Sequence, residues 1–436
     1  AKREHIYVKR VKGLFQKLRF SASLLLLTTF FLGGFLNYDG RQAILFDLPN
    51  RQFHIFSLTI FPHDFMLLAW ILIILAFVLF FVTNFAGRVW CGYSCPQFVW
   101  TWIYIWIEEV TEGSANRRKK LNAGPWNKEK ILRKTAKHTI WLLIALATGM
   151  AFIGYFSPVR DLVPRVFTFN LGPWEMFWMG FFIFFTYAFA GWLREQVCIY
   201  MCPYARFQAV MFDKDTLVVS YDPSRGEPRG RRKKNANLEE ANLGHCIDCD
   251  LCVQVCPVGI DIRNGLQYEC VTCAACIDAC DEVMDKMGYP RGLISYTTEE
   301  ELAGRKTKIL RPRLLGYFTA LTVMVVAFVI AVSGRVPLEL EVLRDRHQLV
   351  KTNSDGTIEN SYLIRIANME QKANTYHLSL KNAEGLQLAS PSEYKLDAGE
   401  VRQYPLTILA EPKDLPNLPS MNIDVHLEAV DNPQVQ

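Results

Sequence analysis

The sequence predicts a multi-domain membrane protein in three parts: an α-helical bundle with five membrane spans, a small cysteine-rich α+β domain inserted before the fifth span, and a C-terminal all-β sandwich. Three observations predict this arrangement. Long apolar blocks recur five times, all twelve cysteines lie between Cys91 and Cys280, and the last hundred residues alternate polar and apolar side chains. In a chain of 436 residues, such clustered cysteines favour metal ligation over a disulfide framework.

The five apolar blocks meet the length of about 20 residues that a helix needs to cross a hydrocarbon layer roughly 30 Å thick. None of the blocks contains a charged side chain. We therefore expect each to span the membrane once. The predicted spans lie at 20–38, 65–85, 139–158, 176–193 and 314–334.

The distribution of lysine and arginine predicts the orientation of these spans. Segments 1–19 and 86–138 carry seven and ten basic residues, whereas the loops 39–64 and 159–175 carry two each. Because short basic segments remain on the cytoplasmic side, we expect the N-terminus and the cysteine-rich domain in the cytoplasm. Everything after the fifth span is then periplasmic, and the chain is a multi-pass protein of the bacterial inner membrane.

The first four spans, within 1–219, are predicted to form a duplicated helical hairpin. Each returning helix ends with an arginine and a C-x3-C-P motif, followed by an aromatic segment too short to span the bilayer. We expect both aromatic segments to lie along the membrane interface. The residues are Arg88, Cys91, Cys95, Pro96 and 98–107 in the first copy, and Arg194, Cys198, Cys202, Pro203 and 204–212 in the second.

The four cysteines of these motifs, here called the thiol tetrad, are candidate catalytic residues. Side chains four residues apart share one face of a helix, so packing of the two hairpins would bring four thiols together. Four thiolates could hold copper or a further Fe–S cluster, or cycle between dithiol and disulfide. Burial as small apolar side chains is the alternative interpretation. The thiol tetrad consists of Cys91, Cys95, Cys198 and Cys202.

A basic linker at 220–243 leads into the cysteine-rich domain. Its charge could indicate nucleic-acid binding, but a solvated segment against anionic lipid headgroups is the interpretation we prefer. No nucleic-acid partner is therefore expected. The six basic residues are Arg225, Arg229, Arg231, Arg232, Lys233 and Lys234.

The domain at 244–296 contains two runs with the spacing C-x2-C-x2-C-x3-C. This spacing suits [4Fe–4S] clusters, because three cysteines on one tight loop bind three irons and the fourth ligand crosses over from the other run. A zinc site would instead favour pairs of C-x2-C. We therefore predict a bacterial-type 2[4Fe–4S] ferredoxin domain. The expected ligands are Cys246, Cys249, Cys252 and Cys280 for cluster 1, and Cys270, Cys273, Cys276 and Cys256 for cluster 2.

The C-terminal segment, 336–436, is predicted to be an immunoglobulin-like β-sandwich. Short stretches at 361–367, 376–380 and 423–427 alternate polar and apolar side chains, as strands with one buried face do. The segment contains no cysteine, so it lacks the disulfide of antibody-type domains. We expect a docking or supporting role for it.

Together these features resemble the FixG/CcoG family of cytochrome oxidase accessory proteins, and the resemblance covers nearly the whole chain. More loosely, the chain is similar to membrane polyferredoxins of nitrate and nitrous-oxide respiration. The residues that carry the family resemblance are the motifs 91–96 and 198–203, the double cysteine run, and the stretches 276–286 and 290–294.

The resemblance implies assembly of a cbb3-type cytochrome c oxidase, by reduction of Cu(II) to Cu(I) for copper insertion. The implied partners are a cytoplasmic electron donor, oxidase-assembly and copper-delivery proteins, and a second copy of the chain. Two other functions stay open, a quinol-linked respiratory electron conduit and a non-enzymatic iron–sulfur scaffold or sensor. The chain has no C-x-x-C-H motif, so attached c-type haem is not expected.

Overall fold

The computed structural model describes residues 5–38, 40–49, 51–61, 64–234, 242–344, 350–354, 356–370, 372–383, 385–411 and 422–430. By their internal contacts the residues fall into two units, 1–56 with 60–325, and 57–59 with 326–436. The first unit holds four of the five long apolar helices, the cysteine-rich domain and the start of the fifth apolar helix, and the second holds the end of that helix and the β-sandwich.

Five helices among the described residues are long and apolar enough to cross a membrane, which agrees with the predicted number of spans. Their bounds are Leu14–Phe35, Phe65–Ala86, Lys128–Ile153, Pro173–Leu193 and Pro312–Ser333. The first and third helices begin earlier than the predicted 20 and 139. The third begins at Lys128 because the Asn127 side chain caps it, accepting the Lys130 N–H at 2.8 Å.

The described part of the membrane region contains nine α-helices, with short strands after the first. Between α8 and α9 the chain widens into π-helical turns at Tyr187–Leu193 and Val197–Met201, which are frequent at functional sites. The helices are α1 Leu14–Leu32, α2 Phe65–Ala86, α3 Val89–Tyr93, α4 Pro96–Glu112, α5 Ala115–Ala123, α6 Lys128–Ile153, α7 Val159–Phe167, α8 Pro173–Thr186 and α9 Pro203–Met211. The strands are β1 Asn37–Tyr38, β2 Arg41–Gln42, β3 Ile44–Asp47, β4 Gln52–Ile55 and β5 Leu58–Ile60.

The cysteine-rich domain contains a two-stranded antiparallel sheet and short helices. Strand β6 pairs with β7, with Val218 opposite Thr297 and Tyr221 opposite Ile294. The sheet of this domain therefore begins before residue 244, where we placed its boundary. The elements are β6 Val218–Tyr221, α10 Pro223–Gly226, α11 Leu251–Gln254, α12 Ala275–Met287, β7 Ile294–Thr297 and α13 Glu299–Leu302, and the fifth apolar helix, α14 Pro312–Ser333, follows them.

Part of the basic linker contacts the cysteine-rich domain, whereas Arg229, Arg231, Lys233 and Lys234 are exposed. Arg232 donates hydrogen bonds to the carbonyl oxygens of Gly244 (2.7 Å) and Cys246 (3.3 Å), and Arg225 donates to Nδ1 of His245 at 2.8 Å. Two of its basic side chains are thus held by the cysteine-rich domain, and contact of the segment with lipid headgroups stays a prediction. Residues 235–241 of the predicted linker lie outside the described residues.

The C-terminal unit is an antiparallel β-sandwich, as predicted. One sheet has the order β12-β14-β10-β8, with β9 also paired to β10, and the other has the order β13-β11-β15. Alternate residues of facing strands fill the core, for example Ile364 and Ile366 of β10 and Tyr376 and Leu378 of β11. The strands are β8 Leu338–Arg344, β9 Val350–Thr352, β10 Ile358–Asn368, β11 Asn374–Lys381, β12 Leu386–Leu388, β13 Glu393–Leu396, β14 Val401–Ala410 and β15 Asp424–Ala429.

Candidate iron–sulfur and thiol site

The two cysteine runs share one backbone conformation. In each run, the residues just before and just after the central cysteine have positive φ, so the chain curls into a tight loop. Positive φ values on both sides of the cysteine turn successive backbone N–H groups towards the concave side of the loop, which can bind an anion. These residues are Asp248 and Asp250, with φ of 51° and 57°, and Thr272 and Ala274, with φ of 53° and 59°.

The loops surround two small cavities, each lined by four of the predicted ligands. Cys246, Cys249, Cys252 and Cys280 line the first. Cys256, Cys270, Cys273 and Cys276 line the second, and Cys252 also reaches its wall. Each cavity therefore takes three cysteines from one run and the last cysteine from the other. Four thiols in a mostly apolar lining suit the ligand chemistry of a [4Fe–4S] cluster, so the donor set fits the group that the spacing predicts.

Burial raises the pKa of several of the predicted ligand thiols. The pKa values of Cys252, Cys256 and Cys280 rise to about 12, and that of Cys270 rises to about 11, with desolvation as the largest cause. Without metal these four thiols are therefore protonated at neutral pH. Metal ligation needs thiolates, so binding of iron must displace these protons.

The thiol tetrad lies where the two hairpins meet the cysteine-rich domain. Cys91 belongs to α3 and Cys198 to the π-helical turn Val197–Met201, whereas Cys95 and Cys202 directly precede the proline that begins the next helix. Cys95 and Cys202 make equivalent backbone hydrogen bonds, because the N–H of each donates to the carbonyl oxygen of the residue five positions earlier. The N–H of Cys95 donates to Trp90 at 2.9 Å, and that of Cys202 donates to Val197 at 2.8 Å.

Burial and charge repulsion among the tetrad sulfurs raise the pKa of three of the four thiols. Burial, and then repulsion from the other tetrad sulfurs, raises the pKa of Cys91 and of Cys198 to about 12. Burial also raises the pKa of Cys95, with a smaller contribution from Cys202. Within the described part of the chain, no three His, Cys, Asp or Glu side chains are grouped so as to hold a single metal ion. The tetrad is therefore a looser set of thiols than a preformed single-ion site.

A buried polar chain orients the thiol of Cys91. Its Sγ donates to Oε1 of Gln208 at 3.2 Å, and Gln208 is fully buried. The Gln208 amide in turn donates to Oγ1 of Thr83 at 3.3 Å, which lies 2.8 Å from the Tyr204 hydroxyl. The sequence pattern did not identify Gln208, because a lone glutamine in an aromatic segment carries no signal of its own.

The first C-x3-C-P motif is in direct contact with the second cysteine run. A Cβ atom on Gly92 would lie 2.7 Å from the Val271 carbonyl oxygen and 2.8 Å from Cα of Cys273, so only glycine fits without movement of the backbone. Cys91 also packs in one apolar cluster with Cys256 and Cys273. The thiol tetrad and the second ligand group therefore adjoin.

Arg88 joins the first hairpin, the second hairpin and the cysteine-rich domain. It is 3% exposed, and its backbone N–H donates to Oγ1 of Thr272 at 3.2 Å. Its guanidinium donates to the carbonyl oxygens of Tyr268, Cys270 and Ala205. This one side chain thus satisfies acceptors on both sides of the tetrad.

Arg194, the counterpart of Arg88, lies in a different environment. Its Nη2 donates to Oε1 of Glu108 at 2.6 Å, and Glu108 also pairs with Arg118 at 2.9 Å and Lys137 at 3.4 Å. Burial opposes ionisation of Glu108, but Arg194, Lys137 and Arg118 outweigh it and hold the pKa of that carboxyl at about 2. We call these four residues the Glu108 cluster.

The first apolar helix begins on the cysteine-rich domain. The Asp278 carboxylate accepts the backbone N–H groups of Phe15 (3.1 Å) and Gln16 (2.7 Å), which are otherwise unpaired at a helix start. Gly13 lies so close that a Cβ atom there would be 2.2 Å from Cγ of Asp278. Asp278 stands between two predicted cluster ligands, and the cysteine spacing alone gave no reason to single it out.

A bundle of apolar helices that carries a dicluster ferredoxin domain defines a membrane-bound iron–sulfur electron-transfer protein. Residues 193–299 match the family model described as a 4Fe-4S dicluster domain. Residues 328–436 match the model described as the IG-like fold at the C-terminal of FixG, putative oxidoreductase.

Known proteins then identify the family. The chain is 38% identical to nitrogen fixation protein FixG of Rhizobium meliloti, over 94% of this chain and 84% of that protein. It is 43% identical to protein RdxB of Cereibacter sphaeroides, over 89% of this chain and 84% of that protein. A crystal structure of a FixG-related protein from Vibrio parahaemolyticus, 28% identical, covers 22% of this chain and 86% of its own, with a TM-score of 0.21. The chain belongs to the FixG family.

Proposed function

We propose that this protein delivers electrons from its ferredoxin domain to the thiol tetrad, where Cu(II) is reduced to Cu(I) for insertion into a cbb3-type cytochrome c oxidase. The observation that carries the proposal is the contact of Gly92 with the backbone of Val271 and Cys273. It leaves no layer of other residues between the first tetrad motif and a predicted cluster ligand. Orientation follows the basic segments, with the ferredoxin domain cytoplasmic and the β-sandwich periplasmic.

Within this proposal, Cys246, Cys249, Cys252 and Cys280 hold one [4Fe–4S] cluster, and Cys270, Cys273, Cys276 and Cys256 hold the other. When bound, the clusters would supply one-electron carriers. The grouping of the eight thiols around two cavities supports this assignment. Exchange of Cys256 for serine should then remove iron from the cluster held mainly by the second run.

The thiol tetrad would serve as the place where the substrate is reduced. One electron converts Cu(II) to Cu(I), and soft thiolate ligands bind the Cu(I) product in preference to Cu(II). Binding of copper displaces the thiol protons, because burial holds the pKa of Cys91 and Cys198 at about 12. Gln208 keeps the Cys91 sulfur in place, since it accepts the hydrogen bond of that thiol.

The test is single-turnover reduction of Cu(II) by the anaerobically purified full chain. The protein is reduced with dithionite, freed of excess reductant and mixed with Cu(II), and Cu(I) is measured with a chelating dye. We expect the double variant Cys91→Ser, Cys198→Ser to lower the yield of Cu(I) by about tenfold or more, because two of four soft ligands are lost.

Iron and sulfide content should stay unchanged in the double variant, and Ser94→Ala serves as the matched control because it alters the same motif without removing a thiol. Equal Cu(I) yields from the wild type and the double variant would contradict the proposal. Unchanged oxidase maturation in cells that carry the double variant would also remove the proposed role in assembly.

A further inference from the structure

A cavity of about 420 Å³ lies between α1 and α4, apart from the ligand groups and the thiol tetrad. Its α1 wall runs from Gln16 through Phe20 and Ser23 to Leu27, with side chains that share one face of the helix. The eleven steps from Gln16 to Leu27, at a rise of about 1.5 Å each, make this wall roughly 16 Å long. The cavity therefore suits an elongated ligand.

The two ends of the cavity differ in polarity. Lys9 and Arg10 line it near the start of the first apolar helix, whereas Leu24 and Leu27 line it one to two turns inside the apolar segment. A ligand with a polar head and an apolar tail matches this gradient. Since α1 is a membrane span by length and composition, such a ligand can reach the cavity from the bilayer.

Buried donors stand at the polar end. Arg19 lines the cavity, is 4% exposed, and holds its guanidinium carbon 4.9 Å from the centre of the Trp102 ring. Among the described residues, Nε and Nη1 of Arg19 and Nε1 of Trp102 have no hydrogen-bond partner, while Nη2 donates to Gln16 at 2.5 Å. A buried donor without an acceptor costs about 1–3 kcal/mol, so a head group that carries carbonyl oxygens fits here.

The innermost wall connects the cavity with the ferredoxin domain. Gly92 lines the cavity, and it is the residue whose missing Cβ allows contact with Val271 and Cys273. For a head group beside Gly92, only this glycine would lie between the head group and Cys273, a predicted cluster ligand. This position beside a cluster ligand favours a redox-active ligand over a phospholipid, because a phospholipid does not exchange electrons with a cluster.

We propose that this cavity binds the ring of an isoprenoid quinone, with Arg19 and Trp102 facing its carbonyl oxygens, and that the quinol form is the electron donor of the protein. A quinol releases two electrons and two protons when it becomes a quinone. With its clusters bound, the ferredoxin domain would accept one electron at each of them, and the two protons would leave towards Glu109, the carboxylate of the lining. The donor assignment rests on the proposed electron-transfer function, whereas the binding of quinone does not.

The binding test uses the full-length protein in detergent, titrated with decyl-ubiquinone and with a short-chain naphthoquinone while tryptophan fluorescence is recorded. Ser23→Phe fills the cavity, and Ser21→Phe makes the same change at an exposed position of the same helix. We expect Ser23→Phe to weaken quinone binding about tenfold or more, equivalent to about 1.4 kcal/mol. Ser21→Phe should stay within about twofold of the wild type.

A second pair of variants examines the donors. Trp102→Phe removes the indole N–H and keeps an aromatic ring, so we expect weaker quinone binding with unchanged iron content. A photoreactive azidoquinone should label peptides of α1 and α4, and excess decyl-ubiquinone should prevent the labelling. Labelling confined to other helices would overturn the site.

Further outcomes separate this inference from the proposed function. If Ser23→Phe abolishes binding of a cardiolipin probe and leaves quinone binding unchanged, the cavity is a phospholipid site and the inference is wrong. A second outcome is that the wild type binds quinone, but decyl-ubiquinol leaves the clusters oxidised. If dithionite still reduces the clusters and Cu(I) still forms, the donor assignment fails and the proposed function stands. Clusters reduced by decyl-ubiquinol in the wild type and Ser21→Phe, but not in Ser23→Phe, would support the whole inference.

Discussion

The two C-x3-C-P copies share a local backbone but are held by different partners. Both begin with a buried arginine and end with a cysteine that hydrogen-bonds five residues back. Arg88 binds carbonyl groups of the ferredoxin domain, whereas Arg194 binds the carboxylate of Glu108. The comparison teaches that a repeated motif can keep its thiol geometry while its anchor changes, because the anchor depends on what the fold places beside it.

The residue after the first cysteine shows the same difference. Gly92 in the first copy leaves no space for a side chain, while Ile199 in the second copy keeps one that is half-buried. Contact with the ferredoxin domain imposes this restriction on the first copy. We therefore regard the first copy as the coupling motif and the second as the one fixed within the membrane region.

The largest effect is expected from removal of the second anchor. Glu108→Gln leaves Arg194, Arg118 and Lys137 buried without their shared carboxylate, which should lower the free energy of unfolding by about 3–5 kcal/mol. Thermal unfolding in detergent measures the change. Glu129→Gln alters an exposed ion pair and should cost less than about 0.5 kcal/mol. Equal losses in the two variants would refute the role of the Glu108 cluster.

Removal of the first anchor should affect iron more than folding. Arg88→Lys keeps the charge but loses the forked donor, and each buried carbonyl left unpaired costs about 1–3 kcal/mol. Because the Tyr268 and Cys270 carbonyls lie at the start of the second cysteine run, we expect roughly half of the iron to be lost. Iron analysis and EPR spectra give the measurement. Arg194→Lys is the control, and it should destabilise the fold while iron per folded chain stays constant.

An exchange at the coupling position should slow electron delivery while the clusters remain. Gly92→Ala places a Cβ atom against backbone atoms of Val271 and Cys273, and overpacking of this kind costs about 1–3 kcal/mol. The single-turnover yield of Cu(I) should fall, with iron content unchanged. Ile199→Ala at the matching position should be nearly silent, and an equal loss in both variants would remove the distinction between the copies.

The smallest difference between the copies is expected in thiol reactivity. Burial raises the pKa of both Cys91 and Cys198 to about 12, so only the minor thiolate fraction reacts near neutral pH. In the metal-free protein, alkylation by iodoacetamide should increase about tenfold per pH unit between pH 8 and 11 at both positions. Mass spectrometry of the two peptides measures the rates. A plateau near pH 9 at either cysteine would show that its pKa is not raised.

Apolar length predicted the number of spans but not where two of them begin. The charged segment 128–138 lies outside the predicted third span, yet it is helical, and tertiary partners bind its cations. Lys137 lies 3.0 Å from Oε1 of Glu112, and Lys130 donates to the carbonyl oxygens of Asn122 and Gly124. A hydropathy average over a sequence window counts each charged residue as polar, and it contains no information about the tertiary partner that binds the charge.

The sequence by itself determined the class of the protein, since span length, cysteine spacing and strand alternation are local patterns set by bilayer thickness, cluster size and the pleat of a strand. Only the tertiary structure decided which C-x3-C-P copy meets the ferredoxin domain, that Asp278 receives the start of α1, and that unpaired donors of Arg19 and Trp102 border a cavity. These features join residues tens to hundreds of positions apart. Their contacts depend on packing, which no local spacing records.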